Sequence, residues 1–225
     1  MRIIFIRHAE SIANASKRMQ GHADYSLSNM GIEEAKKLQD RFYNEKLIPT
    51  HIYSSPLSRT FQTASIVCKN WKIEIKKWEK IIEHDVGVFS NLTWPEIESK
   101  FGALIEGFDK GINWDLVDGA ESYLDMSERA NLVMEFLFEN HSDEDTILIF
   151  THGGIMQHLI SAILKSNIVC KINIPNTAIF DFDFDKTRWI EKGFTQNNPA
   201  YFKVNRFCDA SHITKEEILN DREVL

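Results

Sequence analysis

Two histidines in this chain each stand just beyond a short apolar run. His8 follows Ile3-Ile4-Phe5-Ile6-Arg7, and His152 follows Ile147-Leu148-Ile149-Phe150-Thr151. A third run, Thr50–Ser54, is followed by Ser55-Pro56-Leu57-Ser58-Arg59-Thr60, which places Arg59 in a comparable position. An imidazole can act as nucleophile, base or metal ligand, whereas a guanidinium is a rigid fork of donors matched to phosphate oxygens. Two guanidinium groups in one pocket repel a divalent cation, so Arg7, His8, Arg59 and His152 together fit a phosphoryl group better than a metal. The competing view makes each histidine a strand-end residue with a local hydrogen bond. It suits either one singly far better than both.

Such a cup needs strands that end side by side. Short runs rich in β-branched and aromatic residues read as buried parallel strands, and open α/β sheets bind ligands beyond the carboxyl ends of their strands. Between the strands, Met30–Lys46 carries Ile32, Ala35, Leu38 and Phe42 at helical spacing, with Ser28 as its cap. A second helix is expected from Ser58 to about Trp71, starting after Pro56, and a weak third strand at Ile73 and Ile75. Ser122–Asn140 reads as a helix with Leu124, Ala130, Val133, Leu137 and Phe138 apolar, and another helix runs from Gly154 to about Leu164. Residues 80–120 are irregular, with a short helix at Trp94–Phe101 opened by Pro95. This stretch reads as an insertion over one end of the sheet, too small and Gly-rich to own a core. Ala178–Phe184 and Phe202–Phe207 close the sheet, and the polar tail from about His212 is expected outside the core. The order predicts a three-layer α/β/α sandwich with a mostly parallel central sheet, forming a single domain over residues 1–225.

Composition narrows the function. With 225 residues and a formal net charge of −7 the chain can bury a full core and is a poor general binder of nucleic acid. No eighteen apolar residues run together, so no membrane span is expected. The first strand begins at Met1 without the apolar region of a secretory signal. Cys68, Cys170 and Cys208 are odd in number and widely spaced, which disfavours structural disulfides and a zinc site and fits a reducing cytoplasm.

Arg7-His8-Ala9-Glu10-Ser11 with Asn14 resembles the signature of the histidine phosphatase, or phosphoglycerate mutase-like, superfamily. Ser55 to Ala64 resembles its second block and Thr151-His152-Gly153-Gly154 its last, while Gly21, Asp24, Leu27, Ser28, Gly31 and Ala35 resemble the stretch between the first two. The blocks fall in family order across residues 1 to about 184. The resemblance implies His8 as the nucleophile that takes the phosphoryl group on a ring nitrogen. It implies Arg7, Arg59 and His152 as ligands of the phosphoryl oxygens, with Asn14 touching the phosphate or the rest of the substrate. Helix N-termini after His8, before Arg59 and after Gly153 are expected to add backbone donors.

Hydrolysis needs an acid for the departing alkoxide and then a base for water, and one carboxyl can serve both steps. Glu83 in Ile82-Glu83-His84-Asp85-Val86-Gly87 resembles the family segment carrying that group, with Asp85 the nearby competitor. Ala9 stands where glycine is usual, and Val88 to Thr93 departs from the Trp-Glu-Gly common in relatives. His84 and Trp94 stand as candidates for shaping the cavity or, equally, as packing residues. The mutases of the family carry an Arg-Tyr-rich insertion, whereas residues 84–120 are poor in arginine, with Lys100 and Lys110 the obvious cations. The resemblance therefore implies a cofactor-independent, metal-independent phosphatase of small phosphate monoesters. A phosphoglycerate mutase or a non-catalytic phosphate-binding domain is the alternative.

Overall fold

The computed structural model describes residues 1–108, 111–190, 202–214 and 216. Its elements are β1 (Arg2–Arg7), α1 (Ile12–Ala15), α2 (Asn29–Asn44), β2 (His51–Ser54), α3 (Ser58–Val67) and β3 (Ile75–Lys77), followed by α4 (Trp94–Ile105), α5 (Tyr123–Asn140), β4 (Thr146–Thr151), α6 (Gly153–Ile163), β5 (Ile179–Phe184), α7 (Lys186–Ile190) and β6 (Phe202–Asp209). The sheet runs β3-β2-β4-β1-β5-β6. Strands β1 to β4 pair in parallel, β5 is antiparallel to β1, and β6 is antiparallel to β5. The result is an α/β fold with a mixed, mostly parallel sheet flanked by helices.

Side-chain alternation divides the core into two faces. Ile3 and Phe5 of β1, with Ile147 and Ile149 of β4, pack among apolar residues of α5 and α6. Ile4, Ile6, Leu148 and Phe150 point the other way, into a cluster with Leu38, Phe42, Ala64 and Val67 of α2 and α3. Caps fix the helix starts. Ser28 Oγ accepts from the Gly31 N–H at 3.0 Å, and Ser122 exchanges hydrogen bonds with Asp125 at the head of α5. Gly31 is there for space: a Cβ would sit 2.0 Å from the Glu10 carbonyl oxygen, so only glycine lets α2 lie against the loop after β1.

Several expectations need correction. Helix α3 stops at Val67 rather than near Trp71, and β3 has only three residues. Leu124 is 69% exposed, and the face of α5 that packs inward uses Met126 and Met134 beside Ala130, Val133, Leu137 and Phe138. Residues 80–120 do own a core. Val86, Phe89, Ile97, Trp114 and Val117 are buried together, with Met19 brought in from the other side of the chain. Aromatic bulk compensates for the glycines. The tail is not peripheral at its start: Ala210 and Ile213 are buried, and His212 Nε2 lies 2.8 Å from Thr177 Oγ1. Lys110 and residues 217–225 lie outside the described residues.

Candidate active site

Strand register brings the two histidines together. Arg7 pairs with Thr151 across the parallel β1–β4 ladder, so His8 and His152 leave adjacent strands at the same level. The His8 N–H donates to Thr151 O at 2.9 Å. The two rings lie 5.1 Å apart at 61° and both are buried.

His8 Nδ1 lies 2.7 Å from the carbonyl of Ala9. A carbonyl can only accept, so Nδ1 carries the proton and Nε2 keeps its lone pair. Burial, reinforced by the charges of Arg59 and Arg7, pushes the His8 pKa well below 6.5, which also keeps the ring neutral. The loop is pinned to α3 through Thr63, whose hydroxyl accepts from the Ala9 N–H at 3.0 Å and donates to Arg59 O at 2.7 Å. Ala9, in place of glycine, is buried with its φ outside the left-handed region, so its methyl causes no backbone strain.

His152 caps α6 and turns Nε2 toward two buried hydroxyls, Ser55 at 2.8 Å and Thr60 at 3.1 Å. Ser55 Oγ also accepts from the Leu57 N–H at 3.4 Å, so its own proton is free to go to His152 Nε2. With Ser55 donating there, the proton of the neutral ring sits on Nδ1, a buried atom without a hydrogen-bond partner among the described residues. Burial and the neighbouring Arg59, His8 and Arg7 lower the His152 pKa well below 6.5, and an anion placed beside it acts in the opposite direction.

Arg59 is almost wholly buried, in the first turn of α3, and two carbonyls of the loop between α1 and α2 orient it. It donates from Nη1 to Ala23 O and from Nη2 to Gly21 O, both at 2.9 Å, while Nε has no partner among the described residues. Burial lowers its pKa to about 10, so it stays charged near neutrality. Arg7, at the end of β1, donates to the carbonyl of Ile174.

Glu83 reaches the same place from the other side. Its carboxylate accepts from the N–H groups of Gly154 and Ile155 at 3.2 and 3.1 Å, and from the His84 N–H at 2.9 Å. A Cβ at Gly154 would come within 2.6 Å of Glu83 Oε1, and one at Gly153 would lie 3.6 Å from Arg7 Nε. Gly154 therefore lets the carboxylate close on the first turn of α6, whereas a side chain at Gly153 would make only ordinary contact with Arg7. Asp85 is spent on structure, with one oxygen accepting from the Gly87 N–H at 2.9 Å and the other 3.4 Å from His22 Nδ1.

The expected helix donors are largely used within the protein. The leading N–H groups of α6 serve Glu83, and the Ser58 N–H at the start of α3 donates to Asp24 at 2.6 Å. Asn14 closes a capping box with Ser11, whose N–H and hydroxyl it accepts at 3.1 and 2.9 Å, so its carbonyl end is committed to structure. His84 is buried edge-on against Trp114, with its Nε2 on Glu121 O, and Trp94 packs in the third cluster, so both serve as packing residues. Among the described residues no group of three or more His, Cys, Asp or Glu side chains is placed to hold a metal. Ser55, Thr60 and Thr63 were visible only as letters of a motif. Their hydroxyls gain meaning once β2, β4 and α3 are assembled.

Residues 3–197 match the family described as the histidine phosphatase superfamily (branch 1). The chain belongs to this superfamily. It is 29% identical over 190 residues to phosphoglycerate mutase-like protein 4 of Arabidopsis thaliana, covering 83% of this chain and 81% of that one. It is 27% identical over 214 residues to the metal-independent phosphoserine phosphatase of the same plant, covering 94% and 83%. Among solved structures, YhfR of Bacillus stearothermophilus superposes with a TM-score of 0.77 at 24% identity, covering 94% and 98%. A phosphoserine phosphatase variant from Entamoeba histolytica, in complex with phosphoserine, superposes with a TM-score of 0.72 at 22% identity, covering 95% and 99%. These superpositions establish the phosphoglycerate mutase-like fold. No helix among the described residues is long and apolar enough to cross a membrane.

Proposed function

We propose that the protein is a metal-independent phosphatase of small phosphate monoesters that works through a phosphohistidine on His8. The observation that carries this reading is the Nδ1 contact to Ala9 O, which leaves the lone pair on Nε2 of the His8 ring, beside Arg7, Arg59 and His152. In the first step Nε2 attacks phosphorus, the P–N bond forms, the P–O bond to the leaving group breaks, and the Glu83 carboxylic acid protonates the departing oxygen. In the second, Glu83 as carboxylate takes a proton from water, water attacks phosphorus, the P–N bond breaks, and phosphate leaves with His8 neutral again. Arg7, Arg59 Nε and His152 Nδ1–H bind the phosphoryl oxygens, where charge develops in both steps. Asn14 contributes its amide.

The chain acts as one domain, with residues 80–120 covering the site. Three free cysteines suit a reducing compartment such as the cytoplasm. The similarity to a plant enzyme named for phosphoserine makes phosphoserine the first ester to try. A second reading, phosphoglycerate mutase, draws on the relative named phosphoglycerate mutase-like.

The test is turnover of phosphoserine, 3-phosphoglycerate and p-nitrophenyl phosphate with a chelator present, together with trapping of an acid-labile phosphoenzyme. Phosphate release and a trapped label, both lost in His8→Ala, are expected. Full activity in that variant rejects the covalent scheme. Interconversion of 2- and 3-phosphoglycerate assigns the mutase, and phosphate binding without turnover of any ester assigns a binding domain.

A further inference from the structure

An acid is only as well placed as the backbone beneath it, and the backbone of Glu83 is held by a side chain that the proposed chemistry does not use. Arg129 lies on α5, remote in sequence. It donates from Nη1 to the carbonyls of Ile82 at 2.7 Å and Lys80 at 3.0 Å, and from Nη2 to Glu83 O at 3.4 Å. The same guanidinium forks onto Glu121, with Nε to Oε1 at 2.8 Å and Nη2 to Oε2 at 2.6 Å. The two side chains are only 12% and 17% exposed. Glu121 grips the far side of the segment through its own backbone: its N–H donates to Asp85 O at 2.9 Å, and its carbonyl accepts from His84 Nε2 at 2.7 Å. Residues 80–85 are thus hung from one ion pair at points on both sides of Glu83.

We propose that Arg129, oriented by Glu121, is a positioning residue for the Glu83 acid–base group. The assignment rests on the reading of Glu83 given above. Guanidinium geometry suits the task, because a planar fork can serve one carboxylate and several carbonyls at once, whereas an ammonium is a single point of charge. The carboxylate of Glu83 already accepts three N–H groups, two from α6 and one from His84. Its oxygens can meet the leaving atom only if the carbonyls behind it are also fixed. Without Arg129 three carbonyls lose a charged donor, and the segment settles in another geometry.

Misplacement of a catalytic group by about 1 Å costs on the order of a hundredfold. The loss falls on substrates that need the acid. An alkyl ester such as phosphoserine expels a poor leaving group and depends on protonation, whereas p-nitrophenolate leaves with little help. A merely structural role lowers both rates alike by reducing the folded fraction.

The experiment measures kcat and KM on phosphoserine and p-nitrophenyl phosphate for the wild type, Arg129→Gln, Glu83→Gln and the double variant, with Glu121→Gln as a milder probe should Arg129→Gln fail to fold. The expected result for Arg129→Gln is a ten- to hundredfold (order of magnitude) fall in kcat on the alkyl ester, with KM and the aryl rate within about threefold of wild type. Adding Arg129→Gln to Glu83→Gln costs no further selectivity, because the first acts through the second. Arg129→Lys restores less than a tenth of the lost alkyl rate. Equal loss on both esters, no loss on either, or additive loss in the double variant overturns the assignment while leaving Glu83 as the acid. If Glu83→Gln itself shows no selectivity, the reading of Glu83 falls first and the positioning role goes with it.

Discussion

The proposed anion cup and the segment proposed to cover it are built on opposite plans. In the cup, every proposed ligand of phosphate sits within a residue or two of a strand end or in the first turns of a helix: Arg7 ending β1, His8 just after it, Asn14 in α1, Arg59 in α3, His152 between β4 and α6. Sheet register sets their spacing. The cover, from Ile82 to Ala120, has short 3₁₀ turns at Gly87–Phe89 and Trp114–Leu116, an isolated bridge between Val86 and Ala120, and a helix kinked at Phe101. It is held by its own small core and by Arg129. A rigid frame suits a reaction common to all phosphate esters, and an independently packed cover suits discrimination among them. The two should therefore fail differently when damaged.

The largest effect is expected in the cup. Arg59→Ala removes the most deeply buried charge beside His8 and strands the carbonyls of Gly21 and Ala23. Loss of one preorganised donor to developing charge costs about a hundred- to a thousandfold. The fall in kcat/KM should be the same for alkyl and aryl esters, and a strong dependence on leaving group would erase the contrast between the two regions.

Gly87→Ala probes the cover. Gly87 has φ +53°, and a Cβ there would meet Asp118 O at 2.1 Å, so any side chain must push apart the strands of backbone that join residues 86–88 to 118–120. About tenfold slower turnover of alkyl esters is expected, with a smaller change for p-nitrophenyl phosphate and earlier proteolysis within residues 84–120. Proteolysis spread evenly over the chain would show that the cover is not a separately packed unit.

The same contrast explains what could be read from the letters alone. Strands β1, β2 and β4 announce themselves by their apolar runs, and the proposed phosphate ligands stand at their ends or, for Arg59, in the helix that follows β2, so Arg7, His8, Arg59 and His152 were legible together. Glu83 was reached through resemblance, and nothing in its neighbours showed that its carboxylate rests on the N-terminus of α6. The cover was misread as coreless because its packing joins Met19 to Phe89, Ile97 and Trp114, contacts with no periodicity along the chain. Arg129 was hidden for a related reason. On a helix it looks like an ordinary solvent-facing arginine, and its partners are carbonyls, which carry no sequence signal. The antiparallel turn of β5 likewise depends on where the chain returns rather than on strand composition.

A medium effect follows from pH. His8, His152 and His158 are buried with lowered pKa values, that of His158 to about 4, and His212 is also lowered to about 4, each chiefly by burial. As pH falls below about 6.5 the unfolded chain takes up protons that the folded chain refuses, so stability drops with acid, by up to ~1.4 kcal/mol per pH unit for each such histidine. The stabilising contribution is complete above the unfolded value and is lost as pH falls through the folded ones. Denaturant midpoints measured from pH 7.5 to 4.5 should be nearly level down to about pH 6.5 and decline below it. In the cup variant His8→Ala the slope between pH 6.5 and 5.5 should be shallower, whereas a cover variant such as Gly87→Ala keeps the wild-type slope. Identical slopes in all three would remove His8 from the account.

The smallest effect separates the frame of the cup from its ligands. Ser55 and Thr60 both face His152 Nε2, so either hydroxyl alone can hold the ring and keep the proton on Nδ1. Ser55→Ala and Thr60→Val should each lower kcat/KM by less than about threefold, as expected for one hydrogen bond among alternatives. The double variant leaves Nε2 without either partner, and the ring is then free to shift its proton or rotate. A loss of about tenfold is expected there, larger than the product of the single losses and equal for alkyl and aryl esters. If Ser55→Ala alone costs as much as the double variant, Thr60 plays no part in fixing the ring. If the double loss falls mainly on alkyl esters, these hydroxyls act on the acid–base side, and the boundary between cup and cover must be redrawn to include them.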